Sequence, residues 1–253
     1  SYILTGSTTG SGLNDASGLT FNSGITTITY TASDLSGNTT SCNFVVVITD
    51  NENPTLICPA DVNSINDIGF CSAVVNGIAP IGITDNCGID SVSYIMTGAT
   101  TGSGLNDASG LTFELGTTII KYTITDLAGN MINCNLTVTV SDNENPNLIC
   151  PGNINTYTTS NGCGAILNNI APLSFNDNCG IDSVNYILTG ATIGSGLNDA
   201  SGLVFNMGNT LVEYTVTDNA GNRTDCSFTI TVNDTISPSI ICPSFFIILQ
   251  ICL

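Results

Sequence analysis

A chain of 253 residues with a formal charge of −18, of which only 9% are charged, is not the composition of a highly charged disordered segment. Its two cations, Lys121 and Arg223, cannot neutralise a run of phosphates, which excludes nucleic acid and disfavours anionic membrane surfaces. The absence of histidine removes the common general base and the usual catalytic triads, whereas divalent cations are natural partners of the acidity.

The chain repeats itself. SYILTGSTTGSGLNDASGL at Ser1 returns with small changes as SYIMTGATTGSGLNDASGL at Ser93 and NYILTGATIGSGLNDASGL at Asn185. Cys42, Cys134 and Cys226 keep the same spacing of 92 residues, as do Cys58, Cys150 and Cys242, Cys71 and Cys163, and Cys87 and Cys179. A fixed period of this length is an array of one small domain. With boundaries at the DNENP motif, a partial unit 1–49 is followed by whole units 50–141 and 142–233 and a second partial unit or tail, 234–253. No signal peptide is present, which reads as a mature chain or an internal piece.

In the first partial unit, Ile28 and Tyr30, then Cys42, Phe44, Val46 and Ile48, alternate with polar residues as half-buried strands do. In unit 50–141, strands are expected over 55–65, 71–76, 90–97 and 110–114, with Gly-rich turns such as GSGLNDASG between them. Two longer runs follow, Ile119–Thr125 and Asn133–Val140, joined by the hairpin turn Asp126-Leu-Ala-Gly-Asn130. Unit 142–233 repeats the pattern, with Val212, Tyr214, Val216 and then Cys226, Phe228, Ile230, Val232 in phase. No segment has helical periodicity. About seven short strands per unit predict an all-β fold of tandem immunoglobulin-like sandwiches. The apolar end FFIILQICL is shorter than the roughly 20 residues a membrane helix requires, so no membrane insertion is expected.

Four cysteines per unit without a CxxC motif read as a disulfide framework and an extracellular or cell-surface location. Three connectivities are open in each unit. Cys134 is in phase with the inward Leu136 and Cys58 with Leu56, so both are expected to face inward. If the first and last strands lie side by side, Cys58–Cys134 is the natural bridge and Cys71–Cys87 the second, with Cys150–Cys226 and Cys163–Cys179 in the next unit. On chain-entropy grounds each is worth roughly 3–4 kcal/mol.

Several of these motifs together resemble the hyalin repeat family: the Pro54…Cys58-Pro59 entry, Thr84-Asp-Asn-Cys87, Phe113…Gly116-Thr-Thr118, Tyr122-Thr-Ile-Thr-Asp126-Leu-Ala-Gly-Asn130 and Cys134-Asn-Leu-Thr-Val-Thr-Val140. The resemblance recurs in 142–233 and is lost after Pro243. It implies an immunoglobulin-like fold in extracellular, often adhesive, tandem-repeat proteins, and no enzymatic activity. Acids that recur in the turns of every unit are also unlike a paired-carboxylate active site.

The linker Asp50-Asn-Glu-Asn-Pro54, repeated as Asp142-Asn-Glu-Asn-Pro146, resembles the calcium-binding linkers of cadherins. Asp50, Glu52, Asp85 and Asp126, and in the next unit Asp142, Glu144, Asp177 and Asp218, offer the hard oxygens Ca2+ requires, with ordinary Asx turns as the competing explanation. Asn38, Asn135, Asn222 and Asn233 open N-glycosylation sequons, and Asp-Ser-Val at Asp90 and Asp182 and Asp-Thr-Ile at Asp234 resemble an O-glycosylation pattern of some bacterial surface proteins.

Cys42, Cys242 and Cys252 remain outside the two whole units. Cys42 lacks an early-strand partner and Cys242 a late-strand one. They are candidates for an intermolecular disulfide between copies of the chain joined head to tail, the tail of one adding strands to the incomplete first unit of the next. The expected function is a structural fibre, stalk or surface filament; the alternative is an adhesin that binds glycan or protein through its loops.

Overall fold

The computed structural model describes residues 1–159 and 162–242. It is all β, and among the described residues no helix is long and apolar enough to cross a membrane. The chain separates into two compact units, 1–67 with 72–141, and 68–71 with 142 onward.

The whole repeat in the first unit is built on a five-stranded sheet. Its order is Gly102–Leu105, Ile89–Gly98, Gly116–Asp126, Met131–Ser141 and Val62–Ile65, the last strand joining in parallel. Two short ribbons, Leu111–Glu114 with Ser72–Val75 and Thr55–Ile57 with Ile81–Thr84, contribute to the core over the face of that sheet. The alternation seen in the sequence decides which face is buried. Ile120, Tyr122 and Ile124 point into the core, as do Cys134, Leu136, Val138 and Val140 from the neighbouring strand, together with Ala73, Val75, Ile78 and Phe113. The same sheet recurs in the second unit around Val212, Tyr214, Val216, Phe228, Ile230 and Val232.

A buried tyrosine locks each repeat. The Tyr122 hydroxyl donates to the Ile78 carbonyl at 3.0 Å and accepts the Ala108 N–H at 3.1 Å. Tyr214 does the same with Ile170 and Ala200. These bonds satisfy loop backbone groups that would otherwise be buried without partners.

Two local expectations change. The run 55–65 is broken at Cys58-Pro59 into two strands that join different sheets; proline has no N–H for a ladder. The GSG part of the Gly-rich segment is a strand rather than a turn, Gly102–Leu105, hydrogen-bonded to Ile89–Gly98. Gly104 lies under the Tyr94 ring, where a Cβ would collide with it, so the glycine serves close packing rather than chain reversal. The left-handed turn residue is the following Asn106, at φ 68°.

Cys58 and Cys134 are bridged, as are Cys150 and Cys226, each with Cα atoms 5.8 Å apart. Cys134 is buried as its phase requires, but Cys58 is exposed, because the chain has left the strand by that residue. The second pairing is corrected. Cys71 is bonded to Cys179 and not to Cys87, with Cα atoms 4.9 Å apart, and Cys87 and Cys163 carry free, exposed thiols. The reason is local: Ile68–Cys71 groups with the second compact unit, which also contains Cys179. The period places identical text around positions 87 and 179, so spacing alone could not choose between them. The apolar stretch FFIILQICL, with Cys252, lies outside the described residues.

A candidate metal centre in each repeat

The strand alternation that buries Ile120, Tyr122 and Ile124 runs on to Asp126, a carboxylate in core phase and 1% exposed. It opens a hairpin turn that is folded around it. Its Oδ1 accepts the N–H groups of Ala128 and Asn130, at 2.9 and 2.8 Å, and its Oδ2 accepts the Asn130 side-chain amide at 2.8 Å. Burial pushes this carboxyl up, but the bonds from the Asn130 side chain and from the turn N–H groups outweigh it and hold it below the usual carboxylate range. Asp218 is held down in the same way by Asn222, Ala220 and Gly221. The sequence marked Asn222 only as a glycosylation sequon; its structural task is to hold Asp218.

Beside Asp126 lie the linker and a second turn. Asp85 Oδ1 accepts the N–H groups of Cys87 and Gly88. Asp50 Oδ1 accepts the Glu52 N–H at 3.2 Å, while Asp50 Oδ2 is buried with no hydrogen-bond partner. One carboxylate oxygen from each of Asp50, Asp85 and Asp126 lies within 4.8 Å of the others.

In the second unit, Asp142 and Asp177 approach equally closely, and the sulfur beside them, that of Cys179, is held in a disulfide. Asp142 Oδ1 accepts the Glu144 N–H and Asp177 Oδ2 the Cys179 N–H, leaving Asp142 Oδ2 and Asp177 Oδ1 buried and unpartnered. Asp142 is itself 9% exposed. Its carboxyl is pushed up, first by burial and then by the charges of Asp177, Asp218 and Glu144, against the pull of the Glu144 N–H.

Of the eight acids singled out in the sequence, the structure thus gathers Asp50, Asp85 and Asp126 in one repeat and Asp142 and Asp177 in the next, with the charge of Asp218 acting on Asp142. Glu52 and Glu144 are outside the clusters. Glu52 accepts the Asn86 side-chain amide, and Glu144 accepts the Gly69 N–H at 2.7 Å. The donor set, clustered hard carboxylate oxygens that include unpartnered ones at Asp50, Asp142 and Asp177, suits Ca2+ rather than a thiophilic metal. The carbonyls of Asp50 and Asp142 lie on the same linkers, each accepting the turn asparagine amide, Asn130 or Asn222.

The sequon asparagines divide by hydrogen bonding. Asn38 and Asn222 commit their side-chain amides to Asp34 and Asp218, and Asn135 and Asn233 stand exposed on strands.

The sequence model of the HYR domain matches residues 5–48, 49–140 and 141–232. The chain belongs to the HYR domain family. It is 32% identical over 232 residues to hyalin of Strongylocentrotus purpuratus, covering 88% of this chain and 18% of that protein. To hyalin of Lytechinus variegatus it is 29% identical, over 87% of this chain and 39% of that protein. The chain therefore spans well under half the length of either relative. Among solved structures it is similar to extracellular cadherin domains 1–5 of protocadherin gamma B2, with TM-score 0.34 and 14% identity over 86% of this chain and 48% of that one. It is also similar to the fibronectin(III)-like modules of Clostridium thermocellum CbhA, with TM-score 0.29 and 18% identity over 75% of this chain and all of that one. Three disulfides together with membership of this family make the HYR array an extracellular one.

Proposed function

We propose that this HYR array is a mechanical element of the extracellular space, a fibre or stalk of sandwich repeats, each holding Ca2+ in the acidic cluster at its entry linker. The observation that carries this reading is the recurrence, one period apart, of buried carboxylate oxygens without partners at Asp50 and Asp142. Burying like charges against one another is unfavourable unless a cation neutralises them. Two repeats that share this arrangement share a purpose beyond turn formation. Asp85, Asp126, Asp177 and Asp218 complete the two sites; Glu52 and Glu144, bonded elsewhere, flank them. Ca2+ ties the linker to two turns of the same sandwich and so stiffens the entry of each repeat. Exposed Asn135 and Asn233 are the N-glycan acceptors of this surface, since neither amide has to leave an aspartate.

The test is thermal melting in Ca2+ and in chelator. A ligand at 100 times its Kd adds about 2.7 kcal/mol for each site it fills. Melting unchanged by chelator removes the metal from this account.

Growth of the fibre by strand addition has its own support. Met131–Ser141 and Arg223–Asn233 each carry a parallel outer strand, while the equivalent Thr39–Ile48 has, among the described residues, a partner on one side only. Phe44 on this strand is 49% exposed, against 1% for its periodic equivalent Leu136. The donating segment of this reading begins at 234 in another copy, and both Cys42 and Cys242 are exposed thiols that a bridge would join. A ladder of bands on a non-reducing gel that collapses with reductant is the expected result; a discrete monomer under oxidising conditions contradicts it.

A further inference from the structure

The Cys71–Cys179 bridge shows how this repeat uses its remaining cysteines, and one more is poised to use it again. Within the second compact unit, the loop Ile68–Cys71 lies against the turn Asp177–Cys179 and the linker residue Glu144. The Gly69 N–H donates to Glu144 Oε1 at 2.7 Å, the Asn178 side-chain amide donates to the Phe70 carbonyl at 2.9 Å, and Cys71 is bonded to Cys179. One period earlier the same receiving groups stand in the first compact unit as Glu52, Asn86 and Cys87. There the Asn86 amide turns to Glu52, Cys87 is a free exposed thiol, and beside them opens a cleft of about 690 Å³ whose lining includes Phe21, Ile48, Asp50, Glu52, Asn86 and Cys87. Cys163 is the periodic equivalent of Cys71 and is likewise free and exposed.

We propose that the cleft at Cys87 is a docking site for the cysteine-bearing loop of a further HYR repeat. The occupant is a segment of the Ile68–Cys71 kind, a short glycine-containing turn ending in cysteine. It is recognised by a backbone N–H to the Glu52 carboxylate, a backbone carbonyl to the Asn86 amide and a disulfide to Cys87. Two thiols become one disulfide with the release of two protons and two electrons. The electrons pass to a disulfide oxidant of the extracellular compartment, which is reduced to two thiols in turn. Each repeat thereby makes two kinds of bridge, one that closes its own sandwich and one that links it covalently to a neighbour in the array. This link is distinct from strand addition, uses neither Cys42 nor Cys242, and does not require the metal.

The first test is disulfide mapping of the native, thiol-blocked material after digestion with pepsin at acid pH, since Lys121 and Arg223 are the only sites for trypsin. The expected products are a Cys71–Cys179 peptide and a Cys87 peptide joined to a loop cysteine of another repeat. A partner peptide from this sequence assigns the second repeat to another copy of the chain; one from outside it assigns a further repeat of a longer polypeptide. Cys71–Cys87 and Cys163–Cys179 peptides would overturn the proposal.

The second test uses the folded 253-residue chain in a glutathione buffer with a synthetic peptide spanning Asp67–Ala73. Capture at Cys87 is expected to exceed capture at exposed Cys42 by about tenfold, the gain that one or two added hydrogen bonds supply. The Glu52→Gln and Asn86→Ala exchanges should reduce that preference. Equal labelling of Cys42, Cys87 and Cys163 would show ordinary thiol reactivity and contradict a built site.

Discussion

Replacing Asp142 with asparagine separates a metal ligand from a turn former, because the two roles predict opposite signs. Asn keeps an Oδ1 to accept the Glu144 N–H, now 3.0 Å from the carboxylate, so the turn retains its cap. The orphaned Oδ2 becomes an amide that can donate to the equally orphaned Asp177 Oδ1. Two carboxylate charges at the 4.8 Å limit of this cluster repel by about 3 kcal/mol at an effective dielectric of 20. Salt and the partial exposure of Asp177 reduce this to roughly 1 kcal/mol. In chelator, Asp142→Asn should therefore raise the melting temperature of its repeat by about 4–8 °C, the usual shift per kcal/mol for a domain of this size. In Ca2+ at 100 times the wild-type Kd the order should reverse, since the wild type gains about 2.7 kcal/mol and the variant, short of one anionic ligand, gains little of it. The assay is differential scanning calorimetry of both proteins in both buffers. A variant destabilised equally with and without Ca2+ would show that Asp142 serves only the fold.

Three further outcomes follow from the same structure. Tyr214→Phe removes a hydroxyl that satisfies both the Ile170 carbonyl and the Ala200 N–H, and should cost about 2 kcal/mol in urea unfolding, with Tyr122→Phe costing the same in the other unit. Without Ca2+, stability should change with pH in two directions. Asp142, whose folded pKa is raised, is relieved as pH falls through the range just above the ordinary aspartate value, whereas Asp126 and Asp218, whose folded pKa values are depressed, contribute fully above that value and lose their contribution as pH falls below it. An acid titration followed by circular dichroism should show a shallow gain and then a steep loss. Cys58→Ser with Cys134→Ser opens a loop of 76 residues and should lower stability by about 4 kcal/mol in guanidinium, with the sandwich still formed.

The strands were legible because alternation and burial are one property in a half-buried sheet. Ile120, Tyr122, Ile124 and the facing Leu136, Val138 and Val140 could be placed on the core side from residue type alone, and Asp126 stands in the same phase. The acidic cluster was legible for a related reason: the linker and two turns recur with the period, so Asp50, Asp85 and Asp126 could be grouped before their distances were known. Glu52 and Glu144 could not be excluded, since a side chain outside the core has several partners within reach and sequence does not rank them. The second disulfide was illegible because a repeat offers each cysteine two identical partners, one inside its own unit and one a period away. Only the placement of Ile68–Cys71 with the second unit resolves it. Gly104 was misread because glycine in a turn and glycine beneath a tyrosine ring look alike in one dimension.

The central claim is that each whole repeat holds a divalent cation in its acidic cluster, and equilibrium dialysis against radioactive Ca2+ tests it most directly. Saturable binding is expected in the wild type, abolished in one repeat by Asp126→Asn and in the other by Asp218→Asn, and abolished altogether when the two are combined. Absence of saturable binding at millimolar Ca2+, or binding untouched by both substitutions, would contradict it.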